Sequence, residues 1–445
     1  MTIGIDLNHS SNEYVAQQDL DHVFHSWSIQ GSLNPLVIKS GQGSKLWDFE
    51  GNEYLDFSSQ LVNTNIGHQH PKVIAAIKAQ ADELTTIAPA TANLTRSLAA
   101  KKILELVPSD FKKVFFTNGG ADANENAIRM ARLFTGRDKV LSTYRSYHGN
   151  TGAAIVATGD ARRQPNEYSR AHAHFFGPYT YRSEFWSDSE AQESERALKH
   201  LRRVIESEGA SGIAAILLEG IPGTAGVLVP PQGYMQGVRA LCDEFGIVLI
   251  MDEVMSGFGR TGKWFAFNHH DIVPDLITFA KGVNSGYVPA GGVIISDKIC
   301  QHFHDKMFPG GLTYSGHPLA MASIVATIDA MREEQVVENA ADIGERVIGK
   351  GLAALADKHA CVGDVRGVGV FWAMELVSDA AQKTPLSAQA MAEIKKALVS
   401  KGLLPFIADN RIHVVPPCNV SEEDVHKALA IYDDVLTNVA ASYVA

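Results

Sequence analysis

Between about residue 112 and residue 300, short apolar runs alternate with helix-length segments. The runs read "KVFFT", "KVLST", "AAIVAT", "IAAILLEG", "GIVLIMDE", "LITFA" and "GGVIIS". Apolar strands separated by helices need cover on both faces, which argues for a mostly parallel sheet between two helical layers. In such sheets, ligands bind beyond the carboxyl ends of the strands. The pattern therefore predicts both an α/β fold and the edge where chemistry can occur.

The flanking sequence differs. "SKLWDFEGNEYLDFSSQ" alternates apolar and polar residues around Gly51-Asn52, a hairpin signature. "PKVIAAIKAQADELTTI" opens on a proline and can place Val73, Ile74, Ile77 and Leu84 on one helix face. After "SGHPLAMASIVATIDAMREEQ" an amphipathic stretch runs to about residue 358. "DVRGVGVFWAMELV", two more helical segments and "RIHVVPP" then suggest a small α+β domain. The first 60 residues carry no parallel-sheet pattern and are expected to join it. The expected division is 1–60 with the small domain, 61–330 as the large domain and 331–445 as the rest of the small domain.

The 445 residues carry a formal charge of −11 and no basic run. Nucleic acid and anionic membrane are excluded as partners, since both are held by clustered Lys and Arg. The opening "MTIGIDLNHSSNEYVAQQDLDH" lacks the basic start and apolar core of a signal peptide. No apolar run approaches the roughly 20 residues of a membrane span. Cys242, Cys300, Cys361 and Cys418 stand apart, in no metal or disulfide spacing. The expectation is a cytoplasmic protein with reduced thiols.

Four features sit at strand ends. In "GIVLIMDEVMSGFGRTGK" an apolar run leads into Asp252, either a carboxylate aimed into the site or a solvated turn residue. In "DLITFAKGVNSGYVPAGGVIIS" the next run ends on Lys281 among glycines. A lysine in an apolar pocket loses its charge easily and becomes a nucleophile for aldehydes; the plainer reading is a lysine that snorkels to water. "VFFTNGGADANENAIRMARLFTG" runs from a strand through Asn118-Gly119-Gly120 into a helix near Ala121. That is an anion seat of free N–H groups, or simply a capped helix carrying Asp122 and Glu125 in its first turn. "STYRSYHGNTGAA" brings Tyr147 and His148 to a strand end, where an aromatic ring can stack on a flat ligand or merely pack.

One stretch is a decoy. "GFGRTGK" fits G-x-x-x-x-G-K and suggests a P-loop ATPase. Trp264 follows Lys263 in place of the Mg²⁺-binding hydroxyl, and the acidic strand precedes the glycines instead of following them.

Taken together, the four features supply a phosphate seat, a stacking ring, a carboxylate for a pyridine nitrogen and an amine for an aldehyde. Pyridoxal 5′-phosphate requires that set.

The chain resembles the class III (omega-type) aminotransferases among the fold type I pyridoxal-phosphate enzymes. The likeness rests on "GHQHP", "NGGADANENAIRMAR", "SYHGNT", "EGIPGTAGVLVPPQGY", "LIMDEVMSGFGRTG", "TFAKGV", "TYSGHPLA", "DVRGVG" and "VVPP". The resemblance implies a large domain with a mostly parallel seven-stranded sheet and a small α+β domain from both termini. It implies that Lys281 forms the Schiff base and moves the proton, and that Asp252 pairs with the pyridinium. Tyr147, with His148 beside it, would stack on the ring and Val254 would pack on the ring's other face. Gly120 and Ala121 would offer N–H groups to the phosphate, and Glu219 would lie beside the cofactor. Thr313 would reach the phosphate of a neighbouring subunit in a homodimer with shared sites, or in a tetramer.

The chain departs from the family at Ala121, where a phosphate-binding hydroxyl is common. It departs at Thr224, where ornithine- and GABA-type members carry glutamate. It departs again at His413, nearest by position to those members' carboxylate-binding arginine, which leaves Arg411 two residues upstream as a candidate. Trp27 in "HVFHSWSIQGSLNPL" and the Arg162-Arg163 pair in "ATGDARRQPNEY" make the pattern most like taurine:2-oxoglutarate or pyruvate aminotransferases. Arg162 near Trp27 suits an amine donor with a distal anion, because guanidinium is a planar fork for carboxylate or sulfonate. The alternative for the arginine pair is surface ion pairing. The implied activity is amino transfer from an omega-amino acid (taurine, β-alanine or GABA) or a simple amine to a 2-oxo acid. Racemisation or decarboxylation on the same cofactor is the alternative, and a P-loop-like ATPase a remote one.

Overall fold

A computed structural model describes residues 10–168 and 170–444. The central sheet has seven strands: β1 (Phe111–Thr117), β2 (Lys139–Thr143), β3 (His172–Phe175), β4 (Ile213–Glu219), β5 (Val248–Asp252), β6 (Leu276–Phe279) and β7 (Gly291–Ser296). Their order is β1-β7-β6-β5-β4-β2-β3. Strands β2 to β6 pair in parallel, and β7 runs antiparallel to both neighbours. Since β7 opposes both β1 and β6, the carboxyl end of β1 falls on the same edge as those of β4, β5 and β6. β4, β5, β6 and β7 are buried along their whole length, as a sheet covered on both faces requires.

Six of the seven expected runs form strands, and "AAIVAT" does not. It lies in a helix, Gly152–Ala157. The Glu125 carboxylate accepts from the N–H groups of Ala153 (2.8 Å) and Ala154 (3.2 Å), and also from the Thr151 hydroxyl (2.8 Å). A carboxylate from another helix thus satisfies donors that a helix start leaves free. The seventh strand is instead the edge strand "HAHF", β3.

The hairpin forms as expected, with Lys45–Trp47 antiparallel to Glu53–Asp56. Leu403–Leu404 adds to it in parallel, so the N-terminal hairpin belongs to the C-terminal layer. The helix from Pro71 runs to Glu83 and buries Val73. The amphipathic stretch becomes Pro318–Glu333, then Val336–Lys358 with one π-turn at Gly344–Gly349. A C-terminal antiparallel sheet contains Val362–Val368, Phe371–Asp379, Arg411–Val414 and Phe406–Ala408. No described helix is long and apolar enough to cross a membrane.

Candidate active site

Glu219, Asp252 and Thr278 stand opposite one another at the carboxyl ends of β4, β5 and β6. Beyond Phe279 the chain leaves the sheet, and Lys281 takes φ +47. That left-handed conformation costs a non-glycine residue about 1 kcal/mol or more. Lys281 keeps some accessible surface, and no hydrogen bond holds its Nζ among the described residues. Burial pulls its ammonium down to about 8, although Asp252 and Glu219 oppose the shift. The amine is still mostly protonated at neutral pH, but a far larger share of it is neutral than for an ordinary lysine.

Asp252 is buried and nearly saturated. Its Oδ2 accepts from Asn124 Nδ2 (2.7 Å) and His148 Nδ1 (2.8 Å), and its Oδ1 accepts from Val254 N (3.0 Å). A carboxylate has about four lone-pair sites, so one remains on Oδ1 for a further donor. His148 therefore sits behind Asp252 as its orienting partner. Asn124 also donates to the His148 carbonyl (2.8 Å) and accepts from Thr278 (2.7 Å).

Glu219 is the second buried carboxyl. It accepts from Tyr147 N (3.3 Å) and Gly223 N (2.8 Å), so it ties two loops to β4. Burial, reinforced by Asp252, pushes it up to about 7. Glu253 is also raised to about 7 by burial. It accepts from Ser256 and from the N–H groups of Ala266 and Phe267, which secures the loop after β5. Lys263 of the P-loop-like stretch donates to the Asn268 carbonyl (3.0 Å), and a single 3₁₀ turn follows, Ala266–His269. No phosphate-binding helix starts there, so the ATPase reading fails.

The helix Gly120–Thr135 starts at the end of β1 without a side-chain cap, leaving its first N–H groups free. The turn is cut close. A Cβ on Gly120 would lie 2.8 Å from Val254 Cγ1, and one on Gly149 (φ +128) would lie 2.5 Å from Ala121 Cβ. Val254, Gly120 and Ala121 thus crowd one corner of the cleft beside Asp252.

Tyr147 is half-buried. The Arg162 guanidinium lies 3.7 Å from its ring centroid, and Trp27 meets the ring edge-on at 6.4 Å. These two residues, 135 positions apart in sequence, meet on one ring. Arg162 is anchored by Asp160 through Nε (3.1 and 3.0 Å) and Nη2 (2.5 Å), which occupies one edge of its fork and leaves Nη1 for a further acceptor. Arg163 goes elsewhere, to Glu167 and the Tyr144 ring.

Arg411 is not part of this cluster. Its side chain lies against Gly226 and pairs with Asp409. His413 is fully buried, hydrogen-bonds the Gly223 carbonyl (3.0 Å) and is pushed down to about 3 by burial. A neutral, enclosed imidazole is no anion receptor. Thr313 is exposed, in a loop that Ser315 ties to the end of β1 by donating to Phe116 O (2.8 Å).

The set has the chemistry pyridoxal 5′-phosphate needs: free N–H groups at a tight glycine turn, an amine without a partner, and a carboxylate oxygen with capacity left. When bound, the cofactor supplies an aldehyde and an electron sink. Sequence reasoning missed Asn124, Thr278 and Glu253. Asn124 had a signal, being a polar residue on the helix face that buries Ala123, Ala127 and Ala131.

Comparison with known proteins agrees. The family model described as aminotransferase class-III matches residues 28–436. Taurine–pyruvate aminotransferase of Bilophila wadsworthia (strain 3_1_6) is 31% identical over 447 residues, covering 96% of this chain and 97% of that protein. The 4-aminobutyrate aminotransferase GabT of Escherichia coli (strain K12) is 34% identical over 417 residues, covering 90% and 93%. Taurine:2-oxoglutarate aminotransferase from Bifidobacterium kashiwanohense, solved with PLP and glutamate, superposes with a TM-score of 0.93 at 41% identity, covering 97% and 99%. The chain belongs to the class III aminotransferases, with their fold type I architecture and their pyridoxal 5′-phosphate cofactor.

Proposed function

We propose that the chain transfers the amino group of an omega-amino acid with a distal anion, taurine first and β-alanine or GABA next, to 2-oxoglutarate or pyruvate. The observation that carries this reading is the Arg162 guanidinium beside Trp27 on the Tyr147 ring. A fixed cation and an aromatic wall on the Tyr147 ring suit a donor whose far end is anionic. The similarity to a taurine–pyruvate and a taurine:2-oxoglutarate aminotransferase supports the same substrate class.

In this reading Lys281 holds the cofactor and, with its basicity lowered by burial, moves the substrate proton. Asp252, oriented by His148 and Asn124, keeps a proton on the pyridine nitrogen. Gly120 and Ala121 offer N–H groups to the phosphate, Tyr147 and Val254 enclose the ring, and Glu219 stands beside it. Thr313 serves the neighbouring subunit of a homodimer, so the site is complete only in the assembly. Residues 61–330 form the cofactor domain, and the two terminal segments form the second domain. Arg411 lies against Gly226 with its Nε unpaired among the described residues and is the second candidate for the substrate's anion.

The test is a set of half-reactions without acceptor. Loss of the holoenzyme's visible band is followed with taurine, β-alanine, GABA or a simple amine. Taurine is expected to react fastest, and 2-oxoglutarate or pyruvate to restore the band. Equal rates with an uncharged simple amine would remove the distal-anion reading. Racemisation or CO₂ release without amino transfer would replace the reaction itself.

A further inference from the structure

Among the described residues the largest fully buried side chain is a charged one, Arg260, at 0% exposure. Arg260 lies in the loop after β5. Its acceptors are all neutral oxygens: Nη2 donates to Ser59 Oγ (3.2 Å) and Asn65 Oδ1 (2.9 Å), and Nη1 donates to the carbonyls of Val370 (3.4 Å) and Pro416. No carboxylate lies within ion-pair distance among the described residues. Asp56, in the same N-terminal segment, is engaged by His68 (2.8 Å), Gln60 (2.9 Å) and Ser58 (2.6 Å). Burying a cation without a counterion costs several kcal/mol, and an apolar core would hold the same elements together without that cost. The placement calls for a reason beyond packing.

The partners of Arg260 supply one. Residues 57–67 form a wedge between the lysine turn and the C-terminal layer. On one side, Ile66 N donates to Ser285 Oγ (3.0 Å) and Asn63 Nδ2 donates to Ser285 O (3.4 Å). Asn65 fills the space beside Gly282, the residue after Lys281, so closely that a Cβ there would overlap its amide. On the other side, Cys418 N donates to Asn65 O (2.7 Å), Val415 N to Phe57 O (3.0 Å) and Asn419 Nδ2 to Ile66 O (3.0 Å). The wedge is itself strained, with positive φ at Ser59, Gln60 and Val62. Such conformations persist only where their surroundings over-determine them. Asn65 is fixed from both ends of its amide, Oδ1 by Arg260 and Nδ2 by the Phe258 carbonyl (2.7 Å).

We propose that Arg260 is a positioning residue for Lys281: through Asn65 it holds the lysine turn in its left-handed conformation, and through Val370 and Pro416 it makes that hold depend on the C-terminal layer being docked. Its guanidinium reads the wedge and the C-terminal layer at once, which a shorter or apolar side chain cannot do. The inference rests on Lys281 being the cofactor lysine.

The experiment follows covalent loading of the apoenzyme by added pyridoxal 5′-phosphate, by absorbance, beside steady-state kinetics. Arg260→Met and Asn65→Ala should each slow loading and lower kcat about 10-fold, since small misplacements of a reacting group cost up to about 100-fold. KM for the amine should change less than about 3-fold, and the double variant should be no slower than Arg260→Met alone, as expected for coupled residues. Arg260→Lys should fall between, because it keeps the charge and loses the fork. Wild-type loading and kcat in Asn65→Ala, or full additivity in the double variant, would overturn the proposal. If Arg260→Met does not fold, Asn65→Ala decides alone. Failure of the wild-type apoenzyme to load at Lys281 would instead strike the functional reading.

Discussion

Lys281 combines a left-handed backbone, an Nζ unpaired among the described residues and an ammonium drawn down to about 8 by burial. Lys281→Ala is expected to lower turnover by at least about 10³-fold with the melting curve retained. Borohydride reduction of the holoenzyme followed by peptide mass spectrometry should place the cofactor on Lys281 in the wild type and nowhere in the variant. Covalent loading needs the neutral amine, so its rate should rise with pH and level off above about 8. A rate flat from pH 6 to 9 would contradict that. Glu219 gives a stability prediction. Its folded value of about 7 lies above the unfolded value of about 4.3. The folded state therefore binds the extra proton, and the associated stability is full below about pH 4 and lost as pH rises through about 7. Glu219→Gln should remove up to about 3 kcal/mol of that pH dependence. The readout is the difference in apoenzyme stability between wild type and variant at pH 5 and pH 8.

At the scale of elements, the cofactor corner depends on the turn after β2 and the helix after β1. Gly149→Ala meets both a φ of +128 and the Ala121 side chain at 2.5 Å. It should cost about 1–3 kcal/mol in thermal or urea unfolding and raise the half-saturating concentration of pyridoxal 5′-phosphate, because Ala121 must move. Six strands were legible because fully buried strands read as continuous apolar runs. "AAIVAT" misled because a short apolar run fits a buried helix equally well, and what decides between them, the Glu125 carboxylate on its first N–H groups, is a tertiary contact. β3 escaped notice because its edge position carries His172 and His174 in place of aliphatic residues.

At the scale of the molecule, Phe24, Trp27, Ile29, Leu94, Met307 and Tyr314 are large apolar side chains left exposed on the single chain. The homodimer proposed above would cover part of this surface. Light scattering should give twice the chain mass. Thr313→Ala should weaken pyridoxal 5′-phosphate binding about 10-fold if it serves the partner's site, the equivalent of roughly 1.4 kcal/mol. A monomer that binds the cofactor with unchanged affinity would remove that reading. The sequence by itself determined the α/β class, the strand-end positions of Asp252, Lys281 and Glu219, and the glycine turn before Ala121, because hydrophobic period and backbone freedom are local properties. Only the tertiary structure decided that Asn124 and His148 share one carboxylate, that Trp27 and Arg162 meet on Tyr147, that Arg411 turns to Gly226, and that Arg260 is buried among neutral oxygens. Each of those depends on groups remote in the chain meeting away from water, where an unmet donor or charge costs most.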